Sequence, residues 1–238
     1  MKKTLFLTGM VLLLFSCNSG NKESSETSAD GKTEKVSKKN STKSYDCLEK
    51  FDDDYSLLLT KEEMTSIYPI NSDKVKEQLR SGSYGEHMYQ WPSNRPTFIM
   101  EVSGMKMELP DQNTIGVKNL SFYSDKSDIK SNIETFDMGY KELSEKELDK
   151  IQENLAKQED EIKKTGEDLM KVRAKRSWDF VEDLGSSAWY KWNEQWGGEL
   201  VVLAGISKFT ILTKISADPD ENREIAKKLA EKILAKCK

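Results

Sequence analysis

The chain has 238 residues, of which 33% are charged and 36% are hydrophobic, and its formal net charge is −4. Residues 1–45 contain eight lysines and four acidic residues, so residues 46–238 carry about −8. An acidic domain lacks the basic surface that nucleic acid or an anionic membrane requires. The later segment is long enough for one domain with its own core. We therefore expect a single domain that does not bind nucleic acid.

The first 17 residues have the pattern of a secretion signal. Lys2 and Lys3 precede an apolar run from Leu5 to Phe15, which is shorter than the roughly 20 residues that span a bilayer. The run ends in Leu14-Phe15-Ser16-Cys17, which resembles the lipobox of bacterial lipoproteins. That resemblance implies cleavage after residue 16, and thioether-linked diacylglycerol and an amide-linked acyl chain on Cys17. Asn18, where inner-membrane lipoproteins carry aspartate, favours an outer-membrane location in the cell envelope.

Residues 17–45 predict a lipidated cysteine followed by a disordered tether. The segment after Cys17 consists mainly of serine, threonine, lysine, glutamate, glycine and asparagine, and Val36 is its one aliphatic residue larger than alanine. Such a composition cannot bury enough apolar surface to offset the entropy of ordering. The predicted organisation is therefore a signal peptide (1–16), a tether (17–45) and one folded domain (46–238).

Two cysteines remain if lipid modifies Cys17. Exported proteins fold in an oxidising compartment, and Cys47 and Cys237 lie near the two ends of the folded segment. We expect a disulfide between them, with two free thiols as the alternative. A catalytic thiol is disfavoured because the chain has one histidine and no motif around either cysteine.

The first half of the domain predicts helices flanking three strands. Thr60 and Glu63 have the spacing of a capping box, and Pro69 ends the short helix that they begin. The predicted strands are Tyr84 to Trp91, Thr97 to Ser103 and Ile115 to Tyr123. A further helix is predicted over Asp125 to Phe136.

A long helix is predicted at the start of the second half. Ser144 and Glu147 form a second capping box, and apolar residues recur at helical spacing from Leu148 to Val172. Gly166 is expected to bend or split this helix, and Gly185 to cap its end. The narrow apolar stripe favours a helix laid across a sheet, with a dimer zipper as the alternative.

Three more strands and a final helix complete the pattern. The strands are Ala188 to Glu194, Glu199 to Ala204, which follows a Gly197-Gly198 turn, and Lys208 to Ser216. Asp218 and Pro219 begin the last helix. The predicted fold is an α+β domain, in which antiparallel sheet is covered by helices and two α-βββ-α halves flank the long helix.

One local string supports a resemblance to known exported domains. Phe180-Val181-Glu182-Asp183-Leu184-Gly185-Ser186-Ser187-Ala188-Trp189, followed by a hairpin and a helix rich in alanine, lysine and leucine, resembles small exported lipoprotein domains. The element order also resembles extracellular sensor domains of bacterial serine/threonine kinases. These families imply binding of a ligand or partner outside the cell, and they supply no functional residues for this chain.

An aromatic hairpin is the strongest candidate for a binding surface. It contains Trp189, Tyr190, Trp192 and Trp196, and aromatic rings can bind sugars and other flat ligands. The competing interpretation is core packing, which is the usual role of tryptophan in strands. Adjacent Trp189 and Tyr190 are expected to face opposite sides of the sheet.

Other candidate sites have simpler explanations. Asp52, Asp53 and Asp54 lack the rest of a calcium-binding loop, and His87 has no second histidine for a zinc site. The basic cluster Lys171, Arg173, Lys175 and Arg176 is largely explained by helical pairing with upstream acids. We therefore expect no metal, cofactor or catalytic residue.

Three functions remain open at this point. The preferred one is a membrane-anchored binding module for an envelope protein or a small ligand. The alternatives are a hydrolase of envelope material that uses carboxylates such as Glu86, Glu101 or Glu199, and a structural protein that oligomerises through the long helix. Two glutamates roughly 5 to 9.5 Å apart in an open cleft would favour the hydrolase.

Overall fold

The computed structural model describes residues 46–70, 73–82, 84–124, 126, 128–158, 164–166 and 178–237. The predicted signal peptide, Cys17, the tether and the basic cluster at 171–176 lie outside these residues. The described residues form a seven-stranded antiparallel sheet, a separate two-stranded ribbon and several helices. The α+β fold class predicted from the sequence is therefore confirmed.

The large sheet combines strands from both halves of the chain. Its order is β1-β2-β5-β9-β8-β7-β6, and the last strand of each half, β5 and β9, pair in its interior. β3 and β4 form the ribbon, an insertion between β2 and β5. The strands are β1 (Lys76–Arg80), β2 (Glu86–Pro92), β3 (Phe98–Val102), β4 (Met105–Leu109), β5 (Gln112–Phe122), β6 (Asp179–Phe180), β7 (Ser187–Asn193), β8 (Gly197–Ala204) and β9 (Ser207–Lys214).

All six strands predicted from the sequence are present, as β2, β3, β5, β7, β8 and β9. β1, β4 and β6 were not predicted. β1 is the edge strand KEQLR, whose residues are mostly exposed, so it has no apolar alternation to detect. β4 is similarly exposed, and β6 has only two residues. The first half therefore contributes three strands to the large sheet and the second half four.

The predicted helix starts are largely confirmed. Both capping boxes form, at Thr60 with Glu63 and at Ser144 with Glu147, and Asp218 caps the last helix with Pro219 in its first turn. The third helix begins at Ile129 after its cap Asp128, four residues later than predicted. The helices are α1 (Tyr55–Leu58), α2 (Lys61–Ile67), α3 (Ile129–Tyr140), α4 (Glu145–Leu155) and α5 (Pro219–Ala235), preceded by a 3-10 helix over Asp46–Phe51.

The long helix predicted from Leu148 to Val172, with a bend or split at Gly166, is interrupted much earlier than predicted. α4 ends at Leu155, and residues 156–158 form a turn. Gly166 is helical again, but a Cβ built on it would lie 2.3 Å from Leu155 Cδ2. Residues this far apart in one helix are separated by about 16 Å, so Leu155 and Gly166 do not belong to one straight helix. Residues 159–163 and 167–177 lie outside the described part of the chain.

Gly185 also differs from its predicted role as a helix cap. It lies in the turn that joins β6 to β7 and has a φ of +63°. A Cβ at this position would lie 2.5 Å from the carbonyl oxygen of Leu203. Glycine fits here because the backbone of this turn lies so close to the backbone of β8 that no side chain has room.

The two faces of the large sheet have different coverings. α5 packs on β8 and β9, and α1 packs near β1, β2 and β5, so most of the core lies on this covered face. On the opposite side, which we call the open face, α3 covers only the end near β7, where Phe136 and Ile133 pack with Trp189, Val201 and Leu203. The rest of the open face carries no helix among the described residues.

A disulfide joins the two ends of the folded segment. Cys47 in the 3-10 helix bonds to Cys237 after α5, with Cα atoms 5.6 Å apart and 190 residues of sequence between them. The neighbouring Lys236 donates to the carbonyl oxygen of Leu57 and to Glu63, both at 3.0 Å. The bond therefore fixes the N-terminal helices to the C-terminal helix.

Removing this disulfide should destabilise the domain. In the chain-entropy model a loop this long corresponds to roughly 5 kcal/mol as an upper figure, so Cys47→Ser with Cys237→Ser should lower the free energy of unfolding by about 2 to 5 kcal/mol. Urea unfolding in a Cys17→Ser background measures the change, and a reductant should affect only the chain that retains both cysteines. Intact mass that shows two alkylated thiols in unreduced protein would contradict the bond.

Candidate functional site

A cleft of about 450 Å³ lies on the open face, beside the β3–β4 ribbon. Its floor comes from four neighbouring strands, in which Met88 lies opposite Gly116, Gly116 opposite Leu212, and Leu212 opposite Glu199. Because alternate residues of a strand face the same side, these residues share the open face. The volume is within the range of small-molecule sites, roughly 300 to 1,000 Å³. We call this space the open-face cleft.

The apolar wall of the open-face cleft comes from the ribbon and from the turn between β7 and β8. Phe98 and Leu109 are cross-strand partners at the base of the ribbon, and both line the cleft. Trp196 in the turn is 63% exposed, and its ring meets that of Phe98 edge to face with centroids 6.4 Å apart. A large aromatic face is therefore available beside the cleft.

Arg95 fixes the base of the ribbon to the large sheet. Its guanidinium donates to Asn113 Oδ1 at 2.9 Å, to the carbonyl oxygen of Gln112 at 3.0 Å and to that of Lys214 at 3.3 Å. The same group donates from Nε to Asp111. One side chain thus ties the start of β5 to the end of β9 and holds the cleft wall in place.

Asp111 is a buried carboxylate at one end of the cleft. Its side chain is 6% exposed and accepts hydrogen bonds from Arg95 and Lys214. Burial alone would raise the pKa of this carboxyl, but the two cations hold the pKa below its ordinary value. Lys214 also donates to the carbonyl oxygen of Gln195 at 2.6 Å and lies 5.2 Å from the centroid of the Phe98 ring.

Glu199 forms a second carboxylate cluster toward the other end. Lys118 Nζ lies 2.8 Å from one of its oxygens and Lys191 Nζ lies 2.5 Å from the other. Burial would raise the pKa of Glu199, and the hydrogen bonds from both lysines outweigh it and lower the pKa. Lys118 and Glu199 line the cleft, and Lys191 stands behind Glu199 with its ammonium over the Trp178 ring.

Of the three glutamates considered for hydrolysis, only Glu199 lines the open-face cleft. Its lowered pKa keeps it ionised, whereas a general acid needs a raised pKa. Glu86 lies 3.2 Å from Arg80 Nε, and Glu101 is exposed on the ribbon. The described geometry therefore brings no two of these three glutamates into one cleft.

The aromatic residues predicted as a binding surface are divided among three places. Trp189 packs with α3 and donates to Asp137 at 3.0 Å, while Tyr190 is buried on the covered face and donates to the carbonyl oxygen of Pro219. The expectation that these two face opposite ways is confirmed. Trp192 packs partly against the main core. Trp196 alone of the four lines the open-face cleft.

His87 belongs to a separate polar cluster on the covered face. Its Nδ1 lies 2.9 Å from the carbonyl oxygen of Leu59 and its Nε2 lies 2.8 Å from Glu77. Tyr89 donates to the same glutamate at 2.7 Å. Hydrogen bonds from Tyr89 and His87 lower the pKa of Glu77. This cluster joins the helices to the edge strand β1 and does not reach the cleft.

Two further observations concern metals and membranes. In the described residues, no group of three or more histidine, cysteine or carboxylate side chains is arranged to hold a metal ion. No helix within the same residues is long and apolar enough to cross a bilayer. The triple aspartate contributes a helix cap instead, because Asp54 accepts from Ser56 at the start of α1.

Comparison with known proteins gives no match to a family model, a curated protein or a solved structure. No residue role can therefore be transferred to this chain from a relative. The function has to be argued from the cleft and from its charged groups.

A substitution at Asp111 tests how much its ion pairs with Arg95 and Lys214 contribute to the stability of the domain. Asp111→Asn leaves Lys214 and Arg95 without their counter-charge, so the free energy of unfolding should fall by about 3 kcal/mol. The measurement is urea unfolding at neutral pH. Glu134→Gln is the control, because Glu134 pairs with Lys130 on the surface at 3.9 Å and should change stability by less than about 0.5 kcal/mol. Equal effects of the two substitutions would contradict a structural role for Asp111.

Proposed function

We propose that this protein is a lipid-anchored envelope protein whose folded domain is a non-catalytic binding module with its ligand site in the open-face cleft. The observation that carries the proposal is the cleft itself. An exposed tryptophan, five other apolar residues and two ion-pair clusters meet on the part of the sheet that α3 leaves uncovered. Sites for small ligands typically combine an apolar lining with a few fixed polar groups.

Binding explains the charged groups better than catalysis does. Each cleft carboxylate is held by two cations and has a lowered pKa, so it is ionised at neutral pH and has no proton to donate. The cations are held in turn by the carboxylates and by carbonyl oxygens such as that of Gln195. Groups fixed in this way suit recognition of a ligand of fixed shape and charge.

A protein partner is the second candidate for the ligand, and the exposed apolar side chains of the ribbon favour it. Ile99, Met105 and Met107 are 68%, 65% and 40% exposed. Methionine side chains adapt to varied surfaces and recur at interaction sites. A partner that contacted the ribbon would also lie close to the open-face cleft, since Phe98 and Leu109 belong to both.

Anchoring is proposed through Cys17, with residues 18–45 as a tether of about 30 Å root-mean-square reach. Several acyl chains on one residue give durable attachment, because each buried methylene contributes about 0.8 kcal/mol. The tether would hold the domain away from the membrane surface. The proposed location is the outer membrane of the cell envelope.

Cys17→Ser should release the protein from the membrane. The native chain should be found in the membrane fraction, and the variant should be found in the soluble fraction after export because it carries no acyl chains. Metabolic labelling with palmitate should mark the native chain and not the variant. Cys237→Ser serves as the control, because it should keep both label and membrane location. A Cys17→Ser chain that has lost residues 1–16, carries no label and is still membrane-bound would contradict the anchor.

Ligand binding can be tested by a thermal-shift screen of the full chain carrying Cys17→Ser. The panel contains envelope sugars, peptidoglycan fragments and small metabolites, and a ligand at about 100 times its dissociation constant should add roughly 2.7 kcal/mol. Trp196→Ala should weaken a hit about tenfold, because it removes the aromatic wall of the cleft. Tyr84→Ala is the matched control, since Tyr84 is 84% exposed and does not line the cleft. A hit that both variants bind equally would place its site elsewhere.

A further inference from the structure

The two ion-pair clusters at the open-face cleft hold more positive than negative charge, although the lining itself is balanced, with Lys118 and Lys214 against Asp111 and Glu199. Arg95 and Lys214 share Asp111, and Lys118 and Lys191 share Glu199, so four cations surround two carboxylates. These are the ion pairs that the four cations make within the described part of the chain. The Asp111 and Glu199 clusters together therefore carry an excess of about two positive charges, in a domain whose net charge is about −8.

Structural need alone does not explain this excess. Burying a charge is costly unless a counter-charge accompanies it, and the side chains of Asp111 and Lys214 are 6% and 8% exposed. One cation would neutralise each carboxylate, yet each has two. An unbalanced charge at a partly buried cleft is an indication of a functional site.

The two lysines that line the cleft differ in their free hydrogen-bonding capacity. Lys214 donates to Asp111 and to Gln195, and its ammonium also lies over the Phe98 ring. Lys118 donates to Glu199, which is the one bond that its ammonium makes among the described residues. A lysine ammonium has three N–H donors, so Lys118 can offer two to a ligand, and its side chain is 26% exposed.

The space between these lysines is apolar. Lys118 lies opposite Thr210, four residues along β9 from Lys214, which puts the two backbones about 14 Å apart. Leu212 lies in β9 midway between Thr210 and Lys214. Gly116 of β5 is its cross-strand partner, and Met88 of β2 is the next partner across the sheet. At the Lys214 end the walls are Phe98, Leu109 and Trp196. The cleft therefore has a cation with free donors at one end and an apolar trough at the other.

We infer that the open-face cleft binds an amphipathic organic anion, with its anionic group on the Lys118 ammonium and its apolar body lying over Leu212 toward Trp196. This inference rests on the proposed function of the cleft as a ligand site. A cationic ligand would face the excess positive charge, because both carboxylates are already engaged by two cations each. A wholly polar ligand would leave the apolar trough unused.

A matched pair of fluorescent probes can test the charge preference. Anilinonaphthalene sulfonate and phenylnaphthylamine have the same aromatic body, and only the first is an anion. Both are titrated into the full chain carrying Cys17→Ser, and decanoate is used to displace them. Binding to other apolar segments, including residues 5–15, is common to all variants and cancels when the variants are compared.

Lys118→Met should weaken the sulfonate about tenfold, as expected for loss of a charged hydrogen bond, and should leave the neutral probe unchanged. Lys191→Met is the matched comparison, because it also removes one cation from Glu199 but does not line the cleft, so it should weaken the sulfonate clearly less than Lys118→Met does. Lys118→Gln repeats the test without the apolar replacement. Thermal unfolding of each variant confirms that the domain is folded.

The remaining outcomes distinguish the inference from the proposed function on which it rests. Thr114→Phe fills the cleft from its floor. If it blocks both probes equally while Lys118→Met affects neither, the cleft binds apolar bodies without reading charge, and the inference is wrong but the proposed function stands. If Thr114→Phe blocks neither probe, neither binds in the cleft, and both proposals are wrong. Decanoate that displaces the sulfonate from the native chain and not from Lys118→Met would support a carboxylate as the anionic group.

Discussion

The bond network around Asp111 is the constraint on which the open face depends. This buried carboxylate follows the ribbon directly in sequence, and through Arg95 and Lys214 it contacts residues on both sides of the ribbon and at the end of β9. The network closes a contact between positions 103 residues apart in the chain. Without it, the ribbon would be joined to the sheet mainly by its two connecting segments. The ribbon position in turn sets the wall of the open-face cleft, because Phe98 and Leu109 stand at its base.

The two faces of the sheet divide stability and recognition between them. On the covered face, α5, the N-terminal helices and the Cys47–Cys237 disulfide enclose a large apolar core. That core leaves the opposite face free to carry polar groups at positions that alternate with core residues. Leu212 and Lys214 face the cleft, while Ile211 and Thr213 between and beside them are buried under α5. Because alternate residues of β9 face opposite sides of the sheet, this one strand contributes residues to both the core and the cleft.

Local signals in the sequence predicted local structure well. The residues that cap α2, α4 and α5 act within three or four positions of themselves, and the alternation in β9 is a property of one segment. The end of α4 could not be located, because apolar spacing continues past Leu155 and does not reveal that Gly166 lies beside Leu155. The cleft charges were equally hidden. Lys118 and Glu199 are 81 residues apart, and only strand order brings them together. Among the four aromatic residues of the predicted binding hairpin, sequence spacing could not show that Trp196 alone would line the cleft.

Both carboxylates of the open-face cleft keep their negative charge over the pH range in which most proteins operate. Both carboxylates have pKa values below their ordinary 3.8 and 4.5, so the stability they contribute is fully present above those unfolded values and is lost as pH falls through the lower folded ones. Histidine is the side chain that ordinarily changes charge between pH 5 and 8. The one histidine, His87, lies beneath Leu59 on the covered face. The partners of the two cleft carboxylates are lysine and arginine side chains instead. A site of this kind distinguishes ligands by their charge and shape rather than by the pH of its surroundings.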